Sequence, residues 1–398
     1  MRIFPACICP KSWAYAIIRL EDPIEIRTVA SRSDLKKFVK VPYRIFQDSP
    51  WWVPPLIRDE LEMFNTRKNP ALEEAETRQF IAYRNGEPVG RIAAILSHAA
   101  NTKYGTRNLR FGWFDTIRDI EVARALFSAA ESWGKEKGMT TITGPQGFTD
   151  LDKEGMMISG FDTLPTIVGM YNHDYYPQFM EEMGFEKEID YFEFLTPIPH
   201  ETGIPPKLLR LADRIKERTS LRLLEFKNKK EVWKIAPDIF RLINEAFTDI
   251  YGTVPFSEKF IEYNVKQYIP FLKLDMLKVA VDPDGKLVAF LFTVPSLSRA
   301  FQKARGKLFP FGWFHLLRGL NSNEVLDFYM AAVKKEHQGK GIDLLMAIEI
   351  TKMALSRGFK YAESNLELED NTKVQALWKH FNPTRHRTRR IFKKDIMG

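Results

Sequence analysis

The segment from Val325 to Gly358 constrains the fold of this chain most, because it contains a strand, a glycine turn and a helix in immediate succession. Val325 to Val333 carries one charge, Asp327, among β-branched, aromatic and small residues, and this pattern predicts a buried strand. From Ile342 onward apolar residues recur at helical spacing, and Gly358 supplies a stop. A helix that begins after glycines presents unpaired backbone N–H groups, and the helix dipole adds partial positive charge. The segment therefore predicts an anion site of the phosphate-binding kind.

Two common phosphate-binding loops do not fit this turn. A P-loop requires Ser or Thr after its Gly-Lys pair, but Gly341 follows Lys340 here. A dinucleotide-binding fingerprint would use Gly339 and Gly341 as its first two glycines, but Leu344 stands where its third is needed. Glu363 is placed to act as its ribose-binding acid, yet fewer than about 60 residues follow the loop, too few for a doubly wound sheet.

The turn from Gln338 to Asp343, Gln-Gly-Lys-Gly-Ile-Asp, resembles the acetyl-CoA loop of the Gcn5-related N-acetyltransferase (GNAT) superfamily. That loop has the pattern Gln/Arg-x-x-Gly-x-Gly/Ala, and this chain departs from it only at Asp343. Downstream, Asn371 and the pair Leu377-Trp378 stand where the superfamily often has an Asn near the cofactor and a Leu-Tyr pair. The resemblance predicts a strand and a helix after the loop helix, and a final strand pair from Thr384 to Ile396.

The resemblance implies an amine that attacks the thioester carbonyl of acyl-CoA, with a backbone N–H of the cofactor strand holding the oxyanion. The strand end would pair with the pantetheine arm, and the glycine turn would hold the pyrophosphate. The implied cofactor-binding residues are Val333, Lys335, Gln338, Gly339, Lys340, Gly341 and Asn371. The implied co-substrate is acetyl-CoA or a long-chain acyl-CoA, and no metal is implied.

Candidates for proton transfer are carboxylates on the cofactor strand and around the next strand, namely Asp327, Glu363 and Glu367. Tyr329 is either a core residue or an acid. Trp378 replaces the usual acid Tyr, and an indole cannot deliver a proton at neutral pH. The acid would then come from elsewhere, and the first half of the chain offers Tyr175, with Tyr176 and His173 beside it. We select Asp327, Tyr329, Glu367 and Tyr175 as the catalytic candidates.

Both halves of the chain show the same order of predicted elements, with hairpin signals at Asn85-Gly86 and Asp284-Gly285. The turn before the long helix of the first half, Thr116 to Ile120, has no glycine, so a pyrophosphate cannot approach its backbone closely. The sequence predicts an α/β (α+β) protein of two GNAT-like units, each a mixed central sheet flanked by helices. The predicted divisions are an N-terminal extension (1–22), a GNAT-like domain without the CoA loop (23–196), a linker and helix (197–220), and a GNAT-like domain with the acyl-CoA loop (221–398).

A long loop from Gly144 to Tyr171 lies in the first half, and a loop of that length usually covers or binds something. It carries Gly144-Pro145 and a Gly160-Phe161-Asp162 element followed by Pro165, which resemble features of bacterial double-GNAT proteins. Some of those relatives are linked with N-acylation of long-chain sphingoid bases, as in bacterial ceramide synthesis. The double-GNAT aminoacyltransferases of cell-wall synthesis share the broad architecture.

The composition limits which partners and which cellular location are expected. The 398 residues include 59 Lys and Arg against 51 Asp and Glu, a net charge of +8 that favours anionic partners such as CoA phosphates or acidic lipids. No nucleic-acid-binding motif accompanies that charge, so no nucleic-acid partner is expected. The absence of a long apolar run or a signal sequence predicts a cytoplasmic protein without membrane spans, for which peripheral contact with the inner membrane stays open. Cys7 and Cys9 are too close for an ordinary disulfide.

The run from Gly306 to Leu320 is apolar and aromatic and is flanked by Lys and Arg. Three interpretations stay open: an interfacial membrane segment or acyl-chain wall, an ordinary helix packed on the other half, and a homodimer contact. For the whole chain we expect an acyl-CoA-dependent N-acyltransferase with a small or lipidic amine acceptor. The alternatives are a non-catalytic GNAT-like protein that binds a ligand or membrane, and an aminoacyltransferase that uses another donor.

Overall fold

The computed structural model describes residues 22–396, so Cys7, Cys9 and nearly all of the N-terminal extension lie outside the described part. The strands are β1 (Ile24–Thr28), β2 (Ala75–Arg84), β3 (Glu87–Ser97), β4 (Asn108–Thr116), β5 (Thr141–Gly144), β6 (Met156–Ser159), β7 (Glu186–Pro197), β8 (Arg222–Leu223), β9 (Leu277–Val281), β10 (Leu287–Pro295), β11 (Val325–Val333), β12 (Tyr361–Ser364), β13 (Glu367–Leu368) and β14 (Thr384–Asp395). The helices are α1 (Arg32–Ile45), α2 (Ile57–Met63), α3 (His98–Tyr104), α4 (Ile120–Glu136), α5 (Tyr175–Glu182), α6 (Pro206–Thr219), α7 (Lys229–Ala246), α8 (Glu258–Tyr268), α9 (Ser298–Ala304), α10 (Gly312–Gly319), α11 (Ile342–Arg357) and α12 (Thr372–Trp378).

The strands join into one mixed sheet that runs through both halves, in the order β1-β2-β3-β4-β5-β14-β7-β12-β11-β10-β9-β8. Within this sheet β4–β5 and β11–β12 are the parallel pairs. The short strands β6 and β13 pair at the side with β14 and β7 respectively. The mixed α/β architecture expected from the sequence is therefore confirmed, while the domain division stays a prediction.

The end of the chain differs from the expected final strand pair. Thr384–Asp395 forms a single strand that pairs with β5, β6 and β7, all of which belong to the first half. The predicted pair from Thr384 to Ile396 is thus wrong. The reason is that β14 finds its partners far away in sequence, where a local pattern gives no information about pairing.

Strand β7 was not expected from the sequence, because its charged residues hide the alternation that marks a strand. Two of those charges face arginines across the β7–β14 pair: Asp190 lies opposite Arg390, and Glu193 lies opposite Arg387. Ion pairs across the two strands therefore take the place of apolar contacts in the middle of the sheet.

In the second half, helices cover both faces of the sheet. Helices α7 and α8 pack against Val279, Val281 and Phe290 on one face. Helix α11 packs against the alternate positions, including Ala289 and Leu291, on the other face. Since side chains alternate along a strand, each β11 residue is assigned to one of these two faces. No helix within residues 22–396 is long and apolar enough to cross a bilayer.

Candidate functional site

Strands β11 and β12 diverge in the middle of the second half. They pair in parallel from Val325↔Tyr361 to Phe328↔Ser364, and there the pairing stops. Strand β11 continues to Val333, whereas β13, the next strand after β12, pairs with β7 instead. Beyond Phe328 this edge of β11 has no neighbouring strand within residues 22–396, and the Asn365 side chain donates to the Tyr329 carbonyl at 3.1 Å. The strand edge that follows Tyr329 lies along a gap, in which an extended ligand can form main-chain hydrogen bonds.

The opposite edge of β11 carries a β-bulge at the same point. In the pairing with β10, Phe328 lies opposite Thr293 and Met330 opposite Phe292, so Tyr329 has no partner. A bulge disrupts the ladder locally and bends the strand. It also turns Tyr329 and Met330 toward the same α7–α8 face, where the Tyr329 ring packs on Tyr268 at 5.8 Å between centroids.

The glycine turn after β11 ends in an uncapped helix. Gly339 and Gly341 adopt φ of +73° and +83°, and Gly341 is the N-cap of α11 without a side-chain hydrogen bond. Within the described part of the chain, the amides of residues 339–344 donate to no protein acceptor. A run of free amides at the N-terminus of a 16-residue helix is the arrangement that binds phosphate oxygens.

Arg218, which the sequence did not single out, extends the positive character of this turn. It lies in the last turn of α6, and its Nη2 donates to the Lys340 carbonyl at 2.7 Å. Lys340 is exposed beside it. A Cβ on Gly341 would lie 2.8 Å from Ile215 of the same helix α6, whereas a Cβ on Gly339 would meet nothing within 4 Å. The turn is thus packed against α6 at Gly341 and exposed to solvent at Gly339.

The other cofactor candidates have partners within the chain. Lys335 forms an exposed ion pair with Asp249 at 2.7 Å, and the Gln338 side chain donates to the Val333 carbonyl at 3.2 Å. Asn371 caps α12 by accepting from the Val374 amide at 3.4 Å. Asp343 lies in the first turn of α11. The proposed cofactor contacts of these side chains stay predictions.

A row of buried charges crosses the sheet on the α7–α8 face of β11. Asp327 lies beside Glu363 in the β11–β12 register, and Glu363 contacts the Arg387 guanidinium. The Arg387 Nε also pairs with Glu193 at 2.8 Å, and the Arg389 Nε pairs with the same carboxylate oxygen at 3.0 Å. All five side chains are buried. The structure thus brings Asp327 and Glu363, which the sequence analysis named as candidates, into one row with three residues that the sequence analysis missed.

The long loop predicted to cover something does cover this row. The Arg387 Nη1 donates to the Leu164 carbonyl at 3.0 Å, and Arg389 donates to the Met170 carbonyl. Strand β6, inside the loop, pairs with β14. The hydroxyl of Ser298 from the second half donates to the Pro165 carbonyl at 2.6 Å. The loop therefore closes over charges supplied by both halves.

The carboxylates of the row differ in proton affinity. Burial alone would raise the pKa of Glu193, but the guanidinium groups of Arg389 and Arg387 outweigh it and lower that pKa to about 2. Asp327 lies at the other end, and burial raises its pKa to about 7. The nearby Ser296 hydroxyl and the Arg387 guanidinium oppose this rise in pKa but do not cancel it, and neither carboxylate oxygen has a described partner at full hydrogen-bond geometry. Asp327 is therefore the member of the row suited to accept a proton near neutral pH.

Glu367 and Trp378 form a second buried pair on the other side of the gap. The indole N–H donates to the Glu367 carboxylate, and burial raises the pKa of this carboxyl to about 8. The Trp378 ring packs edge-on against Phe328 at 5.0 Å. A small cavity of about 20 Å³ adjoins Trp378 and is lined mainly by apolar residues, including Phe328 and Leu377. Glu367 is thus protonated at neutral pH and hydrogen-bonded to Trp378, the residue that stands where the superfamily often has its acid Tyr.

The first-half candidates do not join these groups. The Tyr175 hydroxyl donates to the Thr116 carbonyl at 2.8 Å, and Tyr176 shares that carbonyl at 3.1 Å. His173 stacks on Tyr175 at 5.2 Å. Both tyrosines belong to the packed core of the first half. The structure gives them a structural partner, and the catalytic role of Tyr175 stays a prediction.

Comparison with solved structures identifies this arrangement, in which the strands of both halves form one sheet, as a tandem GNAT fold. A tandem GNAT protein from the clavulanic acid biosynthesis pathway superposes with a TM-score of 0.56 at 14% identity, covering 94% of this chain and 99% of that one. A GNAT protein from Sphaerobacter thermophilus gives 0.50 at 12% identity over 94% and 96% of the two chains. At such identities the likeness concerns the fold, and it confirms the resemblance first inferred from the loop Gln338 to Asp343.

Two relatives match almost the whole chain. Protein YghO of Escherichia coli (strain K12) is 29% identical over 377 residues, which cover 93% of this chain and 95% of the relative. A bacterial ceramide synthase of Caulobacter vibrioides (strain NA1000 / CB15N) is 27% identical over 388 residues, covering 94% and 98%. No protein-family model matches the chain. The chain is thus a tandem GNAT protein by fold, similar along its length to a bacterial ceramide synthase.

Proposed function

We propose that this protein transfers an acyl group from acyl-CoA to the amine of a long-chain amino alcohol of the sphingoid type. The observation that carries the proposal is the continuous path from the open edge of β11 to the free amides of residues 339–344. An extended pantetheine arm fits the first part of this path, and a pyrophosphate fits the second. The similarity to a bacterial ceramide synthase supports an amine acceptor with a long alkyl chain.

In the proposed reaction, the acceptor amine attacks the thioester carbon and the C–S bond breaks. Asp327 takes the proton that the amine loses, because its pKa of about 7 lets it act as a base near neutral pH. Backbone N–H groups at the Tyr329 bulge stabilise the oxyanion. Glu367, protonated below about pH 8, gives a proton to the leaving CoA sulfur.

The donor site is tested by placing a methyl group in the glycine turn. Gly339→Ala is expected to weaken binding of acetyl-CoA and of a long-chain acyl-CoA by at least about tenfold, because it adds a methyl group to the turn that carries the free amides, at a position with no protein atom within 4 Å of the new Cβ. Calorimetric titration of the purified protein measures both affinities. Saturable binding that favours the long chain would support a lipid acyltransferase.

Gly285→Ala is the matched control for backbone strain. Gly285 has φ of +82° and nothing within 4 Å of an added Cβ, as at Gly339, but it lies in the β9–β10 turn. Both variants carry a similar cost of about 1–2 kcal/mol for the left-handed conformation. Equal acyl-CoA affinity in the two variants would contradict the phosphate site. Failure of the parent protein to bind either thioester would favour a non-catalytic protein or a donor other than CoA.

The acceptor is tested separately by incubating the protein with a long-chain acyl-CoA and a sphingoid base, with a short amine in parallel. Mass spectrometry of the amide product is expected to show at least about tenfold more product from the long-chain amine, because removal of a long alkyl chain from water favours its binding. Equal turnover of both amines would reject the lipidic acceptor while leaving acyl transfer intact.

A further inference from the structure

The connection between β10 and β11 presents an aromatic surface to solvent. Five of the ten most exposed large apolar side chains within residues 22–396 lie between positions 309 and 317. They are Phe309, Phe311, Trp313, Phe314 and Leu317, with exposed fractions from 46% to 77%. Clustering of this kind on a protein surface marks an interaction site, since scattered apolar side chains are the ordinary case. These five residues are called the aromatic patch below.

Five positive charges flank the aromatic patch along the chain, and of these Arg299 lies near one carboxylate, that of Glu324. The cations are Arg299, Lys303, Arg305, Lys307 and Arg318, and all five are exposed. No Asp or Glu occurs between residues 297 and 323. None of the five cations forms a salt bridge with another residue of the described chain. The surface is therefore both apolar and cationic, and its charge complements an anionic partner.

The connection that carries the aromatic patch is hydrogen-bonded to the first half of the chain. The Gln302 side chain of α9 donates to the Pro50 carbonyl at 2.8 Å and to the Trp52 carbonyl at 3.1 Å. The Ile57 amide donates to the Gly306 carbonyl at 3.0 Å. The inner side of this connection thus packs on the other half, as one interpretation of the sequence expected. Its outer side keeps the aromatic rings in water.

We propose that the aromatic patch and its five cations dock the protein on the surface of an anionic lipid bilayer. Aromatic rings favour the boundary between headgroups and acyl chains, and each nearby Lys or Arg adds attraction to acidic headgroups. Burial of the rings removes apolar surface from water without a rearrangement of the fold. A bilayer supplies the apolar layer and the negative charge together, which is the combination that this surface complements.

The position of the patch gives docking a defined orientation. Helices α9 and α10 join β10 to the start of β11, whereas the glycine turn follows the end of β11. The nine residues of β11 separate the two by roughly 26–30 Å. Asp327 is the third residue of β11, at the end near the patch. On the proposed function, a docked protein would thus receive a lipid amine from the bilayer side and acyl-CoA from water.

Docking is measured by co-sedimentation of the whole protein with vesicles, which requires no catalytic activity. We expect binding to vesicles of equal parts phosphatidylglycerol and phosphatidylcholine, and at least about tenfold weaker binding to phosphatidylcholine alone. Combined replacement of Phe311→Ala and Trp313→Ala is expected to lower the partition coefficient on the anionic vesicles by about tenfold or more. Lys303→Glu with Lys307→Glu should do likewise, and added salt should weaken parent binding.

Matched controls exist on the same molecule. Phe271→Ala removes a side chain that is 61% exposed but lies outside the patch, and Lys286→Glu reverses a charge at the other end of β10. Both controls should bind vesicles as the parent does. Parent binding that does not depend on anionic lipid, or patch variants that bind as well as the controls, would overturn the proposal. So would absence of vesicle binding in a parent whose self-association is abolished by the patch replacements, since the surface would then be a contact between copies.

Discussion

Replacing Glu193 by Gln should lower the free energy of unfolding by about 3–5 kcal/mol, which is the usual cost of leaving buried charges without their partner. The Glu193 side chain is fully buried, and a single carboxylate oxygen receives the Nε groups of Arg387 and Arg389 at 2.8 and 3.0 Å. After the replacement, Glu363 would be the carboxylate left in contact with Arg387. Denaturant unfolding at neutral pH measures the loss.

The pH dependence separates the charge effect from a packing effect. The pKa of Glu193 is lowered to about 2, so its contribution is fully present above its unfolded pKa of about 4.3 and is lost as the pH falls toward 2. The difference in stability between parent and Glu193→Gln should therefore be constant above about pH 5 and narrow in acid. A difference that stays unchanged down to pH 2 would indicate lost packing instead.

Asp190→Asn is the matched control, because Asp190 pairs with Arg390 across the same two strands. This pair has two contacts, at 2.8 and 3.0 Å, but its side chains retain 10% and 23% exposure. We expect a loss of about 1 kcal/mol, in line with partly solvated pairs. If Asp190→Asn and Glu193→Gln lowered the free energy of unfolding equally, the size of the loss would not depend on how deeply the ion pair is buried.

The sequence predicted the parts of the fold that depend on local pattern. Strand β11, the glycine turn and α11 follow from the change in spacing of apolar residues between Val325 and Gly358. The two hairpins in which β2 meets β3 and β9 meets β10 follow from Asn85-Gly86 and Asp284-Gly285. Each of these elements is specified by residues close together in the chain, so periodicity and turn chemistry are sufficient.

The parts of the fold that were not predicted depend on pairing between strands that are far apart in the sequence. Glu193 and Arg387 are almost 200 positions apart, and each appears in its own segment as one charge among several. Arg387 and Arg389 lie two positions apart and are both buried, but Arg385, which continues the same spacing, is exposed, so the spacing alone did not mark buried cations. The carboxylate strand β7 needed to satisfy them could not be identified without knowing the sheet order.

In the candidate site, too, the features set by local sequence were predicted and those set by long-range contacts were not. Asp327 was visible from the sequence as a lone charge in an apolar strand, and burial in the sheet explains its raised pKa. Asn371 and Lys335 were placed near a cofactor by resemblance, while the structure gives them a cap and an ion pair. The pairing of Trp378 with Glu367 was not expected, because the sequence gives no sign that an indole would orient a neutral carboxyl.

Replacing Asp327 by Asn should lower the rate of acyl transfer by about 10²–10⁴-fold if Asp327 is the base, since Asn cannot accept the amine proton. In the parent, the rate should rise with pH through about 7, where Asp327 loses its proton, and fall above about 8, where Glu367 loses its own. Asp327→Asn should remove the lower limb of this profile, and Glu367→Gln the upper limb. Steady-state rates between pH 5 and 10 measure both effects.

Asp327→Asn should raise the free energy of unfolding at high pH, although it lowers the rate of acyl transfer. Its pKa is raised in the folded protein, so the stability linked to its proton is present below the unfolded pKa and is lost as the pH rises through about 7. Asp327→Asn should then be more stable than the parent at pH 9, by at most about 4 kcal/mol, with a smaller difference at pH 5. Asp284→Asn, in the exposed β9–β10 turn, should change neither rate nor stability. An Asp327→Asn variant that keeps the parent's rate and lower pH limb would exclude Asp327 as the base and make Glu363 the next candidate in the row, because the pKa of Glu193 is lowered to about 2.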